Sequence, residues 1–145
     1  MSVTLEIASV ADHELVEAFA CLVPQLSRSS APPTQAELAE MVAAPASDVL
    51  LARLDGRIVG TLTLVVFRIP TGVRAWIEDV VVDDAARGHG VGDQLNRFAI
   101  DIARDKGAKT VDLTSRPSRE AANRLYQRIG FQPRDTNVYR YDLDG

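Results

Sequence analysis

Cysteine is nearly absent from this chain, which excludes two common ways of holding a small protein together. The 145 residues include one cysteine, Cys21, and two histidines. A single cysteine cannot form an intrachain disulfide, and no paired Cys/His spacing of the kind that binds zinc is present. We therefore expect no metal site, and we expect Cys21 to be a buried thiol.

Long apolar runs and an excess of positive charge are missing as well. No segment reaches the roughly 18 consecutive apolar residues of a membrane span, and the N-terminus lacks the basic and apolar regions of a secretory signal. The net charge of −4 argues against a general binder of nucleic acid or anionic membranes. These absences predict a cytoplasmic protein with no nucleic-acid partner and no membrane partner.

The chain has the size and composition of one globular domain over residues 1–145. Hydrophobic residues make up 46% of it and charged residues 25%, which is typical of a folded protein. Hydrophobic periodicity and turn residues predict the order β-α-α-β-β-β-α-β-α-β. The predicted elements are strand 3–8, a helix 11–26 that Pro24 kinks or ends early, a helix from the Thr34 cap to about residue 44, strands 48–54, 58–67 and 73–82, helix 90–106, strand 110–114, a helix from the Ser118 cap to residue 129, and strand 137–143.

Residues 80–92 form the most informative stretch, because an extended apolar run meets a glycine-rich turn that opens an amphipathic helix. A helix start exposes unpaired backbone N–H groups and the positive end of the helix dipole, so a phosphate group can bind there. Gly88, Gly90 and Gly92 allow a close backbone approach, and Arg87 adds a charged contact. The spacing is neither Gly-x-Gly-x-x-Gly nor a Walker loop, yet it predicts a pyrophosphate cradle.

The motif Arg87-x-x-Gly90-x-Gly92, preceded by strand residues 77–82, resembles the coenzyme A signature of the GNAT superfamily of acyl-CoA-dependent N-acetyltransferases. A second block, 119–131, resembles the family's helix ending in Leu-Tyr-x-x-x-Gly-Phe. The resemblance implies an α/β (α+β) fold, with a GNAT-like mixed, mainly antiparallel sheet flanked by helices. It also implies that strands 73–82 and 110–114 splay apart to admit the pantetheine arm of acetyl-CoA, the co-substrate.

By the same resemblance, acetyl-CoA binds mostly to backbone groups. Loop N–H groups hold the pyrophosphate, the strand before the loop pairs with the pantetheine amides, and one N–H at Val80 or Val81 polarises the acetyl carbonyl. Arg119 stands where the family often has an asparagine, and it either meets a CoA phosphate or lies on the surface. Asn123, one turn further on, either replaces that amide or packs in its helix. The predicted cofactor-binding residues are Val80, Val81, Val82, Arg87, Gly88, His89, Gly90, Val91, Gly92 and Arg119.

Tyr126 and Glu78 are the candidate catalytic side chains. Tyr126 occupies the position where the family places a tyrosine near the CoA sulfur, so its hydroxyl is the candidate acid for the thiolate. The alternative for Tyr126 is a core aromatic. Glu78, which strand alternation places on one face with Val80 and Val82, is the candidate base for the amine, and the alternative is a surface or salt-bridged carboxylate. Asp79 would serve instead if this facing is wrong.

Together these residues predict an N-acetyltransferase that moves an acetyl group from acetyl-CoA to a primary amine by direct attack in a ternary complex. A small molecule, a peptide N-terminus or a lysine could be the acceptor, since net charge does not choose among them. A catalytically silent acyl-CoA-binding module that regulates a partner is the alternative function, and an O-acyl or longer-chain acyltransferase is a third. The exposed strands and short final segment, with the resemblance, suggest a homodimer.

Overall fold

The computed structural model describes residues 2–144, and the chain divides into two compact units between Thr114 and Ser115. The single domain expected from the sequence stays a prediction. The elements of the first unit are β1 (Val3–Ile7), α1 (His13–Leu26), α2 (Gln35–Ala43), β2 (Ser47–Leu54), β3 (Arg57–Ile69), β4 (Gly72–Val82), a 3₁₀ turn (Asp84–Ala86), α3 (Val91–Asp105) and β5 (Val111–Asp112). The second unit contains α4 (Glu120–Ile129).

The strands form one mixed sheet in the order β1-β2-β3-β4-β5. The first four strands pair antiparallel with their neighbours, and β5 runs parallel to β4. Between β2 and β3 the chain turns at Asp55 and Gly56, whose φ angles are 52° and 83°. Two consecutive positive φ angles fit the tight hairpin turn that an Asp-Gly pair favours. The predicted mixed, mainly antiparallel sheet is confirmed.

Local capping explains where the first two helices begin. The Asp12 carboxylate accepts a hydrogen bond from the Leu15 N–H at 3.0 Å and so caps α1. At α2, Thr34 Oγ1 accepts from the Glu37 N–H at 3.2 Å, while the Glu37 carboxylate accepts from the Thr34 N–H at 2.9 Å. This reciprocal capping box satisfies two backbone donors that a helix start leaves unpaired. The predicted Thr34 cap is confirmed.

Helices cover both faces of the sheet in the first unit. On one face, α1 and α2 pack over strand residues through an apolar cluster that includes Leu15, Phe19, Leu22, Leu38, Val49, Leu51 and Val81. On the other face, α3 lies so close that a Cβ atom on Gly60 would be 3.1 Å from both Val91 Cγ1 and Leu95 Cδ1. Gly60 therefore sets how near the first turn of α3 comes to the sheet.

Of the two effects expected of Pro24, an early end of α1 is ruled out, because the helix continues to the predicted Leu26, and a kink stays a prediction. A proline so near the end removes only one helical hydrogen bond, and the Ser27 N–H donates to the Val23 carbonyl at 2.9 Å just beyond it. The predicted Ser118 cap of α4 is wrong. Arg119 is the N-cap residue there, and its side chain makes no capping bond.

The predicted final strand, 137–143, is also wrong, since the structure assigns no strand to these residues. Their hydrophobic residues alternate with polar ones, which fits a strand. A strand also needs a neighbouring strand that takes up its backbone hydrogen bonds, and the described residues provide none for this segment. The alternation of hydrophobic and polar residues is therefore not sufficient to form a strand where no partner strand is present.

None of the helices within residues 2–144 is both long and apolar enough to cross a membrane.

We expect the substitution Gly60→Ala to lower the free energy of unfolding by about 1–3 kcal/mol, because the added methyl group overpacks the contact with α3. Urea unfolding of the variant checks this. In a Val91→Ala background, one of the two close side chains is shortened, so the same substitution should cost less. An equal cost in both backgrounds would show that Gly60 does not set the approach of α3.

Candidate active site

Strand β4 contains a bulge in the middle of its pairing with β3. Thr61 lies opposite Val81, whereas Thr63 lies opposite Glu78. Leu62 therefore faces two residues of β4, Asp79 and Val80. Asp79 has a φ angle of 51°, in the left-handed region that non-glycine residues rarely adopt. An extra residue in one strand with such a backbone is a β-bulge, a feature that often re-aims side chains next to functional sites.

The bulge changes which face of the sheet Glu78 occupies. Residues directly opposite each other in an antiparallel pair share a face, so Glu78 shares a face with Thr63, and Val81 with Thr61. Glu78 therefore lies on the face of Val81, which is the face covered by α1 and α2. The prediction that Glu78 shares a face with Val80 and Val82 is wrong, because it assumed strict alternation through residues 79 and 80.

The Glu78 side chain is exposed and is held by an indole on the same strand. Trp76 Nε1 donates a hydrogen bond to Glu78 Oε2 at 2.6 Å. The two residues are two positions apart in β4 and so share a face of the sheet. The bond fixes one carboxylate oxygen, which leaves Oε1 available to another donor.

The outer edge of β4 is only partly paired. Within the described residues, β5 pairs with β4 only at Ala75 and Trp76. The β4 residues that follow, 77–82, therefore have no strand partner on that side. Their free N–H and C=O groups can accept an extended ligand as an additional strand. The resemblance noted in the sequence implied that these two strands splay apart, and pairing that stops at Trp76 is compatible with that expectation.

A short polar network fixes the chain where it leaves β4. The Asp84 N–H donates to Gln25 Oε1 at 2.9 Å, and Gln25 Nε2 lies 3.4 Å from Asp83 Oδ1. Asp83 Oδ1 also accepts from the Ala85 N–H at 3.0 Å, which starts the 3₁₀ turn. Gln25 belongs to α1, so one amide side chain links that helix to the loop. The sequence contained no sign of this contact, because 59 positions separate the two partners.

The single thiol lies beside this network and corrects a sequence prediction. Cys21 is exposed rather than buried. Its Sγ atom lies 3.9 Å from Asp83 Oδ2 and 3.6 Å from Gln25 Nε2. On α1 it stands next to Leu22, which is buried, so helical geometry turns the neighbouring residue outward.

The glycine-rich loop ends in an uncapped helix start. Gly88 and Gly90 have φ angles of 84° and 72°, which favour glycine. Gly90 is the N-cap residue of α3 and has no side chain to satisfy the first N–H groups of the helix. These donors, with the positive end of the helix dipole, form an anion-binding geometry. His89 is exposed within this loop.

Arg87 stands at the entrance of the loop and is already partnered. Its Nη2 and Nε atoms donate to Asp84 Oδ1 at 2.7 and 3.1 Å. The Arg87 side chain is 79% exposed, so solvent weakens this ion pair. A bound phosphate could therefore compete with Asp84 for the guanidinium group.

The second unit contains the predicted acid. Tyr126 is buried on α4, and its ring contacts that of Phe131 edge-on, with centroids 5.8 Å apart. Burial raises the pKa of the Tyr126 hydroxyl, while the positive charge of Arg119 acts in the opposite direction. The Asn123 amide donates to the backbone carbonyls of Arg116 and Arg119 at 2.9 and 2.8 Å. Asn123 thus stabilises the turn that precedes α4.

The segments that contain these features match a known family. The family model described as Acetyltransferase (GNAT) family matches residues 14–131. The chain belongs to the GNAT family of acetyltransferases. The match includes β4, the glycine-rich loop and α4, the segments that carried the sequence resemblance. The resemblance predicted from two motifs is confirmed, and so is the GNAT fold.

Relatives of this GNAT protein differ in their acceptors. It is 38% identical over 91 residues to glucosamine 6-phosphate N-acetyltransferase of Trypanosoma brucei brucei, covering 61% of this chain and 59% of that protein. It is 32% identical over 75 residues to N-alpha-acetyltransferase 30 of Schizosaccharomyces pombe, covering 52% and 49%. The chain thus spans about half to three fifths of these relatives. The structure of glucosamine-6-phosphate N-acetyltransferase from Arabidopsis thaliana shares the fold, with a TM-score of 0.81 at 19% identity and coverage of 97% and 99%.

The first unit brings most of the predicted site residues of this GNAT domain into one continuous segment. Val80, Val81 and Val82 end β4, and the loop from Arg87 to Gly92 follows at once. Tyr126 and Arg119 belong to the second unit. Their roles stay predictions, as do those of the loop and strand residues. Among residues 2–144, no group of three or more His, Cys, Asp or Glu side chains could hold a metal ion.

We expect Gln25→Ala to increase the hydrogen-exchange rate of the Asp84 amide by about fivefold, because a typical hydrogen bond contributes about 1 kcal/mol and the variant removes the acceptor. Amide exchange followed by NMR measures this. Gln35→Ala is the matched control, since Gln35 donates to the Ala11 carbonyl instead. An unchanged Asp84 rate in Gln25→Ala would mean that Gln25 does not hold the loop.

Proposed function

We propose that this GNAT protein transfers an acetyl group from acetyl-CoA to a primary amine, with both substrates bound at once. One observation carries the proposal: the unpaired outer edge of β4 leads directly into the loop that opens α3. An extended amide-containing arm fits the first feature, and a pyrophosphate fits the second. Acetyl-CoA has both groups in this order.

The residues of the cradle fit acetyl-CoA by their backbone chemistry. The pyrophosphate would accept hydrogen bonds from the N–H groups of Gly88, His89, Gly90, Val91 and Gly92, with Arg87 released from Asp84 to pair with it. Backbone groups of Val80, Val81 and Val82 would pair with the pantetheine amides, and an N–H of Val80 or Val81 would polarise the acetyl carbonyl. Acetyl-CoA would supply the acetyl group and a thiolate leaving group.

We assign the role of base to Glu78. Its carboxylate is exposed, and the indole of Trp76 holds Oε2, so Oε1 can accept a proton from an approaching ammonium group, directly or through water. Asp79 is the other candidate, because it is also exposed and lies in the bulge. Glu78 is favoured over Asp79 because a side-chain partner fixes its orientation.

The placement of Glu78 supports a ternary complex. Glu78 lies on the sheet face covered by α1 and α2, whereas the helix that would bind the pyrophosphate packs on the opposite face. Two substrates that approach β4 from different faces can be bound together. This supports direct attack of the amine on the acetyl group.

We assign the role of acid to Tyr126. Burial raises the pKa of its hydroxyl, so this group keeps its proton at neutral pH and could donate it to the departing thiolate. Arg119, whose charge acts on Tyr126, would contact a CoA phosphate as well. In this proposal the aromatic contact with Phe131 orients the Tyr126 ring.

The acceptor is proposed as a primary amine of one of three classes. The relatives' names point to the amine of glucosamine 6-phosphate and to a peptide N-terminus. A lysine side chain is the third class. A cationic amine suits the exposed carboxylates of Glu78 and Asp79 near the end of β4.

We expect wild-type protein to bind acetyl-CoA and to release thiol only when a suitable amine is present. Calorimetry and a thiol-release assay over glucosamine 6-phosphate, N-terminal peptides and lysine peptides measure the two steps. Glu78→Gln keeps an acceptor for the Trp76 indole but loses the base, so binding should persist while turnover falls about 10²–10³-fold. Asp79→Asn is the matched control and should retain most activity.

The outcomes separate the alternatives. Binding without release for every amine would favour a silent acyl-CoA-binding module, and faster release with longer acyl-CoA donors would favour a different acyltransferase. Absence of binding would overturn the assignment of the loop. If Asp79→Asn rather than Glu78→Gln abolishes turnover, Asp79 is the base.

A second experiment tests Tyr126 by pH dependence. Because its pKa is raised, loss of the Tyr126 proton should decrease kcat/KM only above about pH 10, the ordinary value for tyrosine. Tyr126→Phe should lower kcat about 10²-fold at neutral pH and should lack this alkaline decrease. A decrease that persists unchanged in Tyr126→Phe would assign it to another group.

A further inference from the structure

Asn96 is a polar side chain on the apolar face of α3. It is 0% exposed, and the other buried residues of this helix are all apolar: Val91, Leu95, Ala99 and Ala103. Asn96 Nδ2 donates to the Gly92 carbonyl at 2.8 Å. The other end of the amide, Oδ1, is buried and accepts no hydrogen bond from any residue between 2 and 144. A buried acceptor without a donor lowers the stability of a fold.

Stability alone does not account for asparagine at position 96. An apolar residue there would leave no unpaired acceptor, and leucine or alanine would also favour the helix more. The Gly92 carbonyl does not need the Asn96 side chain, because the backbone N–H of residue 96 already bonds to it in the helix. A buried polar group that lowers stability in this way indicates a functional role.

The Asn96 amide acts on the first turn of α3 through one peptide group. The Gly92 carbonyl and the Asp93 N–H are the two ends of that group. Hydrogen bonds that are linked in a chain polarise one another, so a second donor on the carbonyl makes the Asp93 N–H a stronger donor. The added bond also restrains the orientation of the peptide group.

The Asp93 N–H is free to bind a ligand. Gln94 is the first residue of α3 whose N–H has a helical acceptor, the Gly90 carbonyl at 3.1 Å. Within residues 2–144, the Asp93 N–H has no backbone acceptor, and no side chain caps this helix. The Asp93 carboxylate pairs with Arg97 Nε at 2.7 Å. The Asp93 N–H therefore belongs to the unpaired donors at the positive end of the helix dipole.

We propose that Asn96 is a positioning residue for phosphate binding: its amide aligns and polarises the Gly92–Asp93 peptide, so that the Asp93 N–H donates to a pyrophosphate oxygen. The unpaired Oδ1 is the loss of stability that comes with placing this donor inside the core. The inference rests on the proposed function, because it takes the start of α3 as the pyrophosphate site. It adds one backbone donor to that site, and Asn96 acts on the ligand only through the backbone.

Two variants of similar shape test the role of the Asn96 donor. Asn96→Thr keeps a donor, since a threonine hydroxyl in a helix bonds to the carbonyl four residues earlier, whereas Asn96→Val lacks one. By calorimetry, Asn96→Val should bind ADP and acetyl-CoA about two- to threefold more weakly, as expected if one charge-assisted hydrogen bond loses about a fifth of its strength. Asn96→Thr should retain the wild-type affinity. Pantetheine, which has no phosphate, is the control probe, and its affinity should not differ among the three proteins.

Two readouts on the ligand-free protein separate this role from a purely structural one. The Asp93 amide proton should shift upfield in NMR spectra of Asn96→Val but not of Asn96→Thr, because a less polarised N–H group shields its proton more. In urea, Asn96→Val should unfold at the wild-type concentration or above it, because the buried unpaired acceptor is gone. If valine overpacks the site, Asn96→Ala removes the donor without adding volume and should show the same loss of affinity.

The possible failures can be told apart. Equal affinity for ADP in the wild type, Asn96→Val and Asn96→Ala would overturn this inference and leave the proposed function standing. A lower urea midpoint in Asn96→Val, with an unchanged Asp93 shift and unchanged ADP affinity, would make Asn96 a structural residue only. No binding of ADP or acetyl-CoA to the wild type would overturn both this inference and the assignment of the loop.

Discussion

The unpaired outer edge of β4 is the constraint around which the first unit is organised. Backbone N–H and C=O groups require hydrogen-bond partners, and each one buried without a partner costs about 1–3 kcal/mol. Strand β5 pairs at Ala75 and Trp76 and no further. The 3₁₀ turn, the left-handed glycines and the uncapped start of α3 follow immediately. Unpaired backbone groups thus occur at the outer edge of β4 and again at the start of α3, separated by residues 83–87, whose N–H groups are bonded within the protein. Two such sites in succession suit an elongated ligand with amides at one end and phosphates at the other.

Local chemistry made much of this arrangement predictable. The order of strands and helices follows from hydrophobic periodicity, and the Asp-Gly turn and the Thr34 cap follow from residues with specific backbone preferences. The glycine-rich loop before α3 could be predicted from its residue types, because few residues other than glycine allow a close backbone approach at a helix start. In each of these cases the determinant and the structure it produces lie within a few residues of each other.

The features that sequence reasoning missed depend on distant partners. Gln25 reaches the Asp84 N–H across the fold, and the exposure of Cys21 depends on what packs beside α1. The bulge at Asp79 is set by how β4 aligns with β3, and the residue types of β4 alone suggest regular alternation. Residues 137–143 have the pattern of a strand but no partner in the described chain. Pairing between remote segments is the information that a single sequence contains least directly.

The bulge also determines which face of the sheet each side chain of β4 occupies. Side chains alternate between the two faces with a period of two, so the extra residue in β4 reverses the expected faces of the residues before it relative to those after it. A substitution at Asp79 would leave these faces unchanged. Deleting one residue there would instead turn Trp76 and Glu78 to the opposite side of the sheet, away from α1 and α2, while the glycine-rich loop kept its place. In a strand built this way, a substitution changes one side chain at a time, whereas a single insertion or deletion changes the face of every residue on one side of it.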